Sequence, residues 1–191
     1  MLLILTIGRS GSSMVSGIFA KHGLWAGDLK KADQWNERGY YENMELREAL
    51  KRRFGWPPRF VPEPHPEWKT EVHRIIRSQG WNGQPWMFKC GVSYWRLWEE
   101  FKPVVVKVHR PIEDVMASYR RSNKLPNPDR ENLVRWQAPL LSSVPGFNVD
   151  AVQVSRGDFS SLRAPMDAMG ITFREQIARD FVDQSLFMAS A

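Results

Sequence analysis

At 191 residues, with 42% hydrophobic and 25% charged side chains, the chain has the length and composition of one globular domain, which excludes a disordered or fibrous polymer. A domain of this length buries about 70% of the surface its unfolded form exposes and needs no covalent or metal staple. Cys90, the one cysteine, could form neither an internal disulfide nor a cysteine-built zinc site, and 27 Lys and Arg against 21 Asp and Glu leave a net charge of +6 that favours an anionic partner.

The first apolar run, residues 2–7, has no basic segment before it and stops at Gly8-Arg9 without a small-residue cleavage site. No apolar stretch approaches the roughly 20 residues of a membrane span, so a cytoplasmic protein is expected, without a membrane partner. In chain order the expected strands are residues 2–7, 86–89, 104–109 and 149–154, with a weaker one at 24–26. The expected helices are 12–21, 42–54, 67–79, 94–101, 112–122, 130–141, 160–169 and 173–187. Leu2–Leu5 and Val104–Val106 are continuous rather than alternating apolar runs, as in strands covered on both faces. The expected fold is therefore a three-layer α/β domain with a mostly parallel sheet of four to five strands. Residues 56–66 hold five prolines and read as a surface excursion of this single domain, anchored by Trp56, Phe60 and Val61.

After the first strand comes Gly8-Arg9-Ser10-Gly11-Ser12-Ser13, opening a helix with Met14, Val15, Ile18 and Phe19 on its packing side. Glycines let the backbone curl, and N–H groups at a helix start converge on a concavity favourable to anions. Ser12 and Ser13 add hydroxyls, and Arg9 adds a fork that matches phosphate or sulfate oxygens. A plain turn capped by Ser10 or Ser12 would give a similar local pattern. A nucleotide kinase normally has Gly-x-x-x-x-Gly-Lys-Ser/Thr, but no lysine precedes Ser12 or Ser13 here, and no expected strand ends in a metal-binding carboxylate.

A second strand runs into His109-Arg110-Pro111, where Pro111, Glu113 and Asp114 suit the first turn of a helix. Arg110 stands at the strand exit and Ser118 about two turns into the helix, eight residues on.

Together the two junctions resemble the P-loop sulfotransferase superfamily, closest to bacterial and carbohydrate-type members. In that family a loop like Arg9-Ser10-Gly11-Ser12-Ser13 holds the 5′-phosphosulfate of 3′-phosphoadenosine 5′-phosphosulfate (PAPS). An arginine and a serine eight apart, here Arg110 and Ser118, hold its 3′-phosphate. Three weaker likenesses follow in family order. Gly39-Tyr40-Tyr41-Glu42 resembles a Gly-aromatic-aromatic-Glu segment. Residues 86–89 resemble the strand ending in a lysine beside the sulfuryl group, and residues 181–186 a short C-terminal signature.

The resemblance implies metal-independent sulfuryl transfer from PAPS to a hydroxyl or amine of a small-molecule or carbohydrate acceptor, leaving 3′-phosphoadenosine 5′-phosphate (PAP). Arg9 and Lys89 would stabilise charge, and Glu42 is the first candidate for the base, with His109 the second. Lys89-Cys90-Gly91 lacks both the histidine and the acidic residue that members carry just after the lysine. An alternative is a relative that binds the nucleotide without catalysis. A kinase is a further alternative. A nucleic-acid module is not expected, since no helix-turn-helix, zinc or RNP-like motif is present. Trp95 and Trp98 read as core, whereas Trp35 and Trp56 flank loops where they could stack on adenine or acceptor.

Overall fold

In the computed structural model the described residues are 1–33, 36–55, 60–122 and 128–183. The strands are β1 (Leu2–Thr6), β2 (Met87–Gly91), β3 (Val104–His109) and β4 (Phe147–Asp150). They form one sheet in the order β2-β1-β3-β4, with all three pairings parallel. The helices are α1 (Ser12–Lys21), α2 (Met44–Phe54), α3 (Pro66–Ser78), α4 (Ile112–Ser122), α5 (Pro128–Ser143), α6 (Ala151–Ser155), α7 (Ser160–Ala168) and α8 (Glu175–Phe181), with a 3-10 helix at Val92–Phe101.

Because side chains alternate across a strand, β1 feeds two cores at once. Leu3 and Leu5 pack with α2, α3, the 3-10 helix, α4 and α5, around Trp68 and Trp98. Leu2 and Ile4 pack on the other face with Val15, Ile18 and Phe19 of α1 and with α6, α7 and α8. Burying each such aliphatic side chain contributes about 1.5–3 kcal/mol. Three layers follow directly from this two-sided apolar pattern. Among the described residues, no helix is long and apolar enough to cross a membrane.

Several boundaries differ from those expected, each for a local reason. The stretch 149–154 is not one strand: the Asp150 carboxylate accepts from the N–H groups of Val152 and Gln153 and starts α6, ending β4. Residues 24–26 give one isolated parallel bridge, Trp25 to Trp86, rather than a fifth strand. The segment 92–101 is a 3-10 helix, in which Val92, Trp95, Trp98 and Phe101 recur at its three-residue period. Trp98 is fully buried and Trp95 packs against the same core, as expected.

In the proline-rich excursion Pro62 is buried but Phe60 is 63% exposed, so Phe60 does not anchor it. Trp35, Trp56 and the part of the C-terminal signature beyond Asp183 lie outside the described residues.

Candidate functional site

From β1 the chain goes to β2 on one side and then crosses over to β3 on the other. The helices that follow β1 and β3 diverge accordingly, since α1 packs on one face and α4 on the opposite one. The point where they diverge, beyond the carboxyl ends of β1 and β3, is the usual ligand position in open parallel sheets. Thr6 and Val108 are register partners, so the loop after β1 and the segment at Arg110 leave the sheet side by side.

Local hydrogen bonds fix the first loop. The Thr6 hydroxyl donates to the Ile7 carbonyl at 2.6 Å, so at the 2.5 Å contact between Thr6 Oγ1 and Ser10 Oγ the serine is the donor. Ser10 is fully buried with its proton directed inward, which leaves only its backbone N–H for a ligand. Arg9 (φ 67°) and Gly11 (φ 84°) both take left-handed backbone conformations and curl the loop. For arginine that conformation costs on the order of 1–3 kcal/mol. Gly11, not Ser10 or Ser12, is the N-cap of α1, and no side chain caps its first turn. At Gly8 an added Cβ would lie 2.0 Å from the Tyr119 hydroxyl, so α4 packs directly on the loop.

The two motifs meet here. Arg9 Nε donates to Ser118 Oγ at 3.0 Å, and Arg110 Nη1 donates to the Arg9 carbonyl at 3.3 Å. The Arg110 side chain is only 5% exposed, with Asp114 Oδ2 3.8 Å from its Nε. Burial above all pulls the Arg110 guanidinium below its ordinary value; Asp114 opposes this, while Arg121 and Arg9 add repulsion. Arg9 and Arg121 thus lie close enough to Arg110 to concentrate positive charge here, which suits a polyanion.

Lys89 enters from β2 on the α1 side of the sheet. Its Nζ donates to Ser13 Oγ at 3.0 Å and to the Tyr40 carbonyl, and lies 3.3 Å from Glu42 Oε1. Burial lowers its pKa, with the Glu42 charge acting in the opposite sense. The other Glu42 oxygen, Oε2, lies 3.3 Å from Arg47 Nε. Glu42 is not a first-turn residue stabilised by the helix dipole. Asn43 caps α2 through its side chain, leaving Glu42 just outside the helix and turned to Lys89.

The segment 39–43 is held from several sides. The Tyr40 hydroxyl donates to both Asp33 carboxylate oxygens at 2.8 and 2.9 Å, and Lys30 Nζ sits 3.4 Å from its ring centroid. Burial first, then Asp33, pushes the phenol up to about 12, against the pull of Arg9. The Tyr41 ring meets Phe181 of α8 edge-on, and both rings fill the space where any side chain at Gly17 would stand.

Of the expected site residues, Arg9, Ser10, Gly11, Ser12, Ser13, Arg110 and Ser118 therefore gather at the carboxyl ends of β1 and β3, with Lys89 and Glu42 joined to them through Ser13. His109 is turned elsewhere: its Nε2 hydrogen-bonds Asn148 of β4 at 3.0 Å. Burial chiefly lowers its pKa, with the Asn148 bond opposing. The thiol of Cys90 is driven far up by burial, which makes it no base. Arg47 and Tyr119 were not foreseen, because an arginine five residues after Glu42 and a tyrosine on a helix follow no motif. Among the described residues no group of three or more His, Cys, Asp or Glu is placed to hold a metal ion.

Fold and site together define a parallel α/β protein with a basic cluster of side chains at the topological switch point of its sheet. No family model matches the chain, and neither does any curated protein or solved structure.

Proposed function

We propose that this protein is a sulfotransferase that moves a sulfuryl group from PAPS to a hydroxyl or amine of a small-molecule or carbohydrate acceptor. The observation that carries the reading is the hydrogen bond of Arg9 to Ser118, with Arg110 on the Arg9 carbonyl. Two motifs about 100 residues apart in sequence, each expected to hold one end of the same nucleotide, are in direct hydrogen-bond contact.

In the proposed step the acceptor oxygen attacks sulfur in line with the leaving phosphate. A new S–O bond forms while the S–O bond to the 5′-phosphate breaks, and its electron pair leaves with PAP. The α1 amides, Ser12 and Ser13 hold the 5′-phosphate, and Arg110 and Ser118 hold the 3′-phosphate. Arg9 and the charge of Lys89 oppose the negative charge growing on the leaving group. Glu42 takes the acceptor proton: each of its oxygens faces one cation, and a carboxylate has about four lone-pair sites in all, so acceptor sites remain.

Calorimetry of PAP against ADP, with magnesium or with EDTA, tests the reading. PAP is expected to bind much more tightly than ADP, unaffected by EDTA. Arg110→Ala should weaken PAP by about 1.5–3 kcal/mol, roughly 10- to 150-fold, the range for a hydrogen bond to a charged group. Equal affinities for PAP and ADP, or a strict magnesium requirement, would replace this reading with a kinase. Tight PAP binding without sulfuryl transfer to any acceptor would leave a nucleotide-binding relative without catalysis.

A further inference from the structure

The ammonium of Lys89 has three protons and three acceptors already around it: Ser13 Oγ, the Tyr40 carbonyl and Glu42 Oε1. Its side chain is 4% exposed, so almost none of it meets solvent. Glu42 is itself held from behind by Arg47. Of these acceptors only Ser13 belongs to the loop at the start of α1. While accepting a hydrogen bond from Lys89, the Ser13 hydroxyl still has its own proton to donate. A hydroxyl that accepts from a cation is polarised and donates more strongly to a second acceptor.

We infer that Lys89 acts on the bound anion through Ser13 rather than by direct contact, so that Ser13 delivers the Lys89 charge and Lys89 is a positioning residue. The inference rests on the sulfotransferase reading and deepens it, since that reading leaves open how the lysine reaches the sulfuryl group. Arg47 and Glu42 complete the relay: they fix the ammonium where its third proton points at the loop.

Direct and relayed action differ in additivity. Two groups acting separately on a ligand give independent losses, whereas two links of one chain give a loss that is not repeated. The experiment is a double-mutant cycle on PAPS affinity, read by calorimetry without acceptor, using Ser13→Ala, Lys89→Met and both together. Each single change is expected to weaken PAPS by about 10-fold, and the double by about the same factor rather than about 100-fold. Ser13→Thr, which keeps the hydroxyl, should retain wild-type affinity, a rescue that a purely packing role for Ser13 would not produce. Ser13→Ala paired with Arg110→Ala should multiply, because those two residues serve different phosphates.

Lys89→Met strands the Glu42 carboxylate. The cycle is therefore repeated in a Glu42→Gln background, with thermal melts confirming that each protein is folded at the binding temperature. Multiplicative losses for Ser13 and Lys89, or a Ser13→Ala protein with wild-type affinity beside a weakened Lys89→Met, overturn the inference while PAP binding leaves the sulfotransferase reading standing. A wild-type protein that binds neither PAP nor PAPS overturns that reading, and the relay falls with it.

Discussion

Replacing Lys89 by methionine is expected to lower stability by about 3 kcal/mol near neutral pH, and the deficit should widen as the pH rises toward 10.5. Methionine leaves Ser13 Oγ, the Tyr40 carbonyl and Glu42 Oε1 without the donor they share, and an unmet buried acceptor costs about 1–3 kcal/mol, a loss that the neutral amine at high pH largely avoids because it still donates two hydrogen bonds. Glu42 adds least to that sum, because it is 25% exposed and keeps Arg47 at 3.3 Å. Methionine fills most of the volume, so little of the loss comes from a cavity.

The pH dependence follows from the cause of the Lys89 shift, in which burial outweighs the attraction of Glu42 and the folded value lies below the unfolded 10.5. Between those two values the unfolded chain holds the extra proton, so native stability rises with pH. The cost of the buried charge is present in full below the folded value and is relieved as the pH passes through it. Methionine has no such gain. Urea melts of both proteins from neutral pH to 10.5 measure the difference, in which groups not coupled to Lys89 cancel. A deficit that narrows with pH would mean that the Glu42 pairing outweighs desolvation, and that the ammonium is better solvated than its exposure indicates.

The strands were readable because uninterrupted runs such as Val104–Val106 suit only positions covered on both faces, and β3 falls at Val104–His109, the residues expected. The 149–154 stretch misled because Val152 and Val154 look like strand residues; the deciding group is the Asp150 side chain, whose capping role depends on a backbone turn that composition does not encode. The same limit applies at the site. Arg9, Gly11, Arg110 and Ser118 were legible as motif members, since each has a local spacing. That Arg9 would bond Ser118 is a tertiary fact, set by the parallel register of β1 and β3. Ser10 shows the opposite case, in which a motif hydroxyl is spent on Thr6 inside the turn.

The Glu42 environment was the least legible, because the 22 residues between α1 and α2 follow no periodicity. Their placement depends on distant anchors. The Arg38 guanidinium donates to the Phe181 carbonyl and pairs with Asp183 at 3.5 Å, Tyr41 packs on Phe181, and Asn43 reaches Gln79 at 2.7 Å. These ties from α8 and α3 are what bring Glu42 over Lys89. A glutamate in an irregular segment becomes a fixed carboxylate only through contacts made far along the chain.

Glu42→Gln is expected to reduce turnover on a hydroxyl acceptor by at least about 10²-fold, the lower bound for losing a general base. The amide keeps the shape and can still accept from Lys89 Nζ through its oxygen. Its NH₂ group would then face Arg47 Nε, donor against donor, so a stability loss of about 1–2 kcal/mol accompanies the change. That loss reads on a melting curve and leaves the protein folded. Base and scaffold roles separate on the donor side. As a base, Glu42 meets the acceptor, and its replacement leaves PAP affinity near wild type while the rate falls. If the neutral amide oxygen holds the ammonium too weakly to keep it on Ser13, PAPS affinity falls together with the rate, and the change reports on the scaffold role instead. Acceptors for the assay come from screening hydroxylated small molecules and sugars with labelled PAPS. Undiminished turnover would remove Glu42 as base, and His109, held by Asn148 on the far side of β3, would have to leave that bond to replace it.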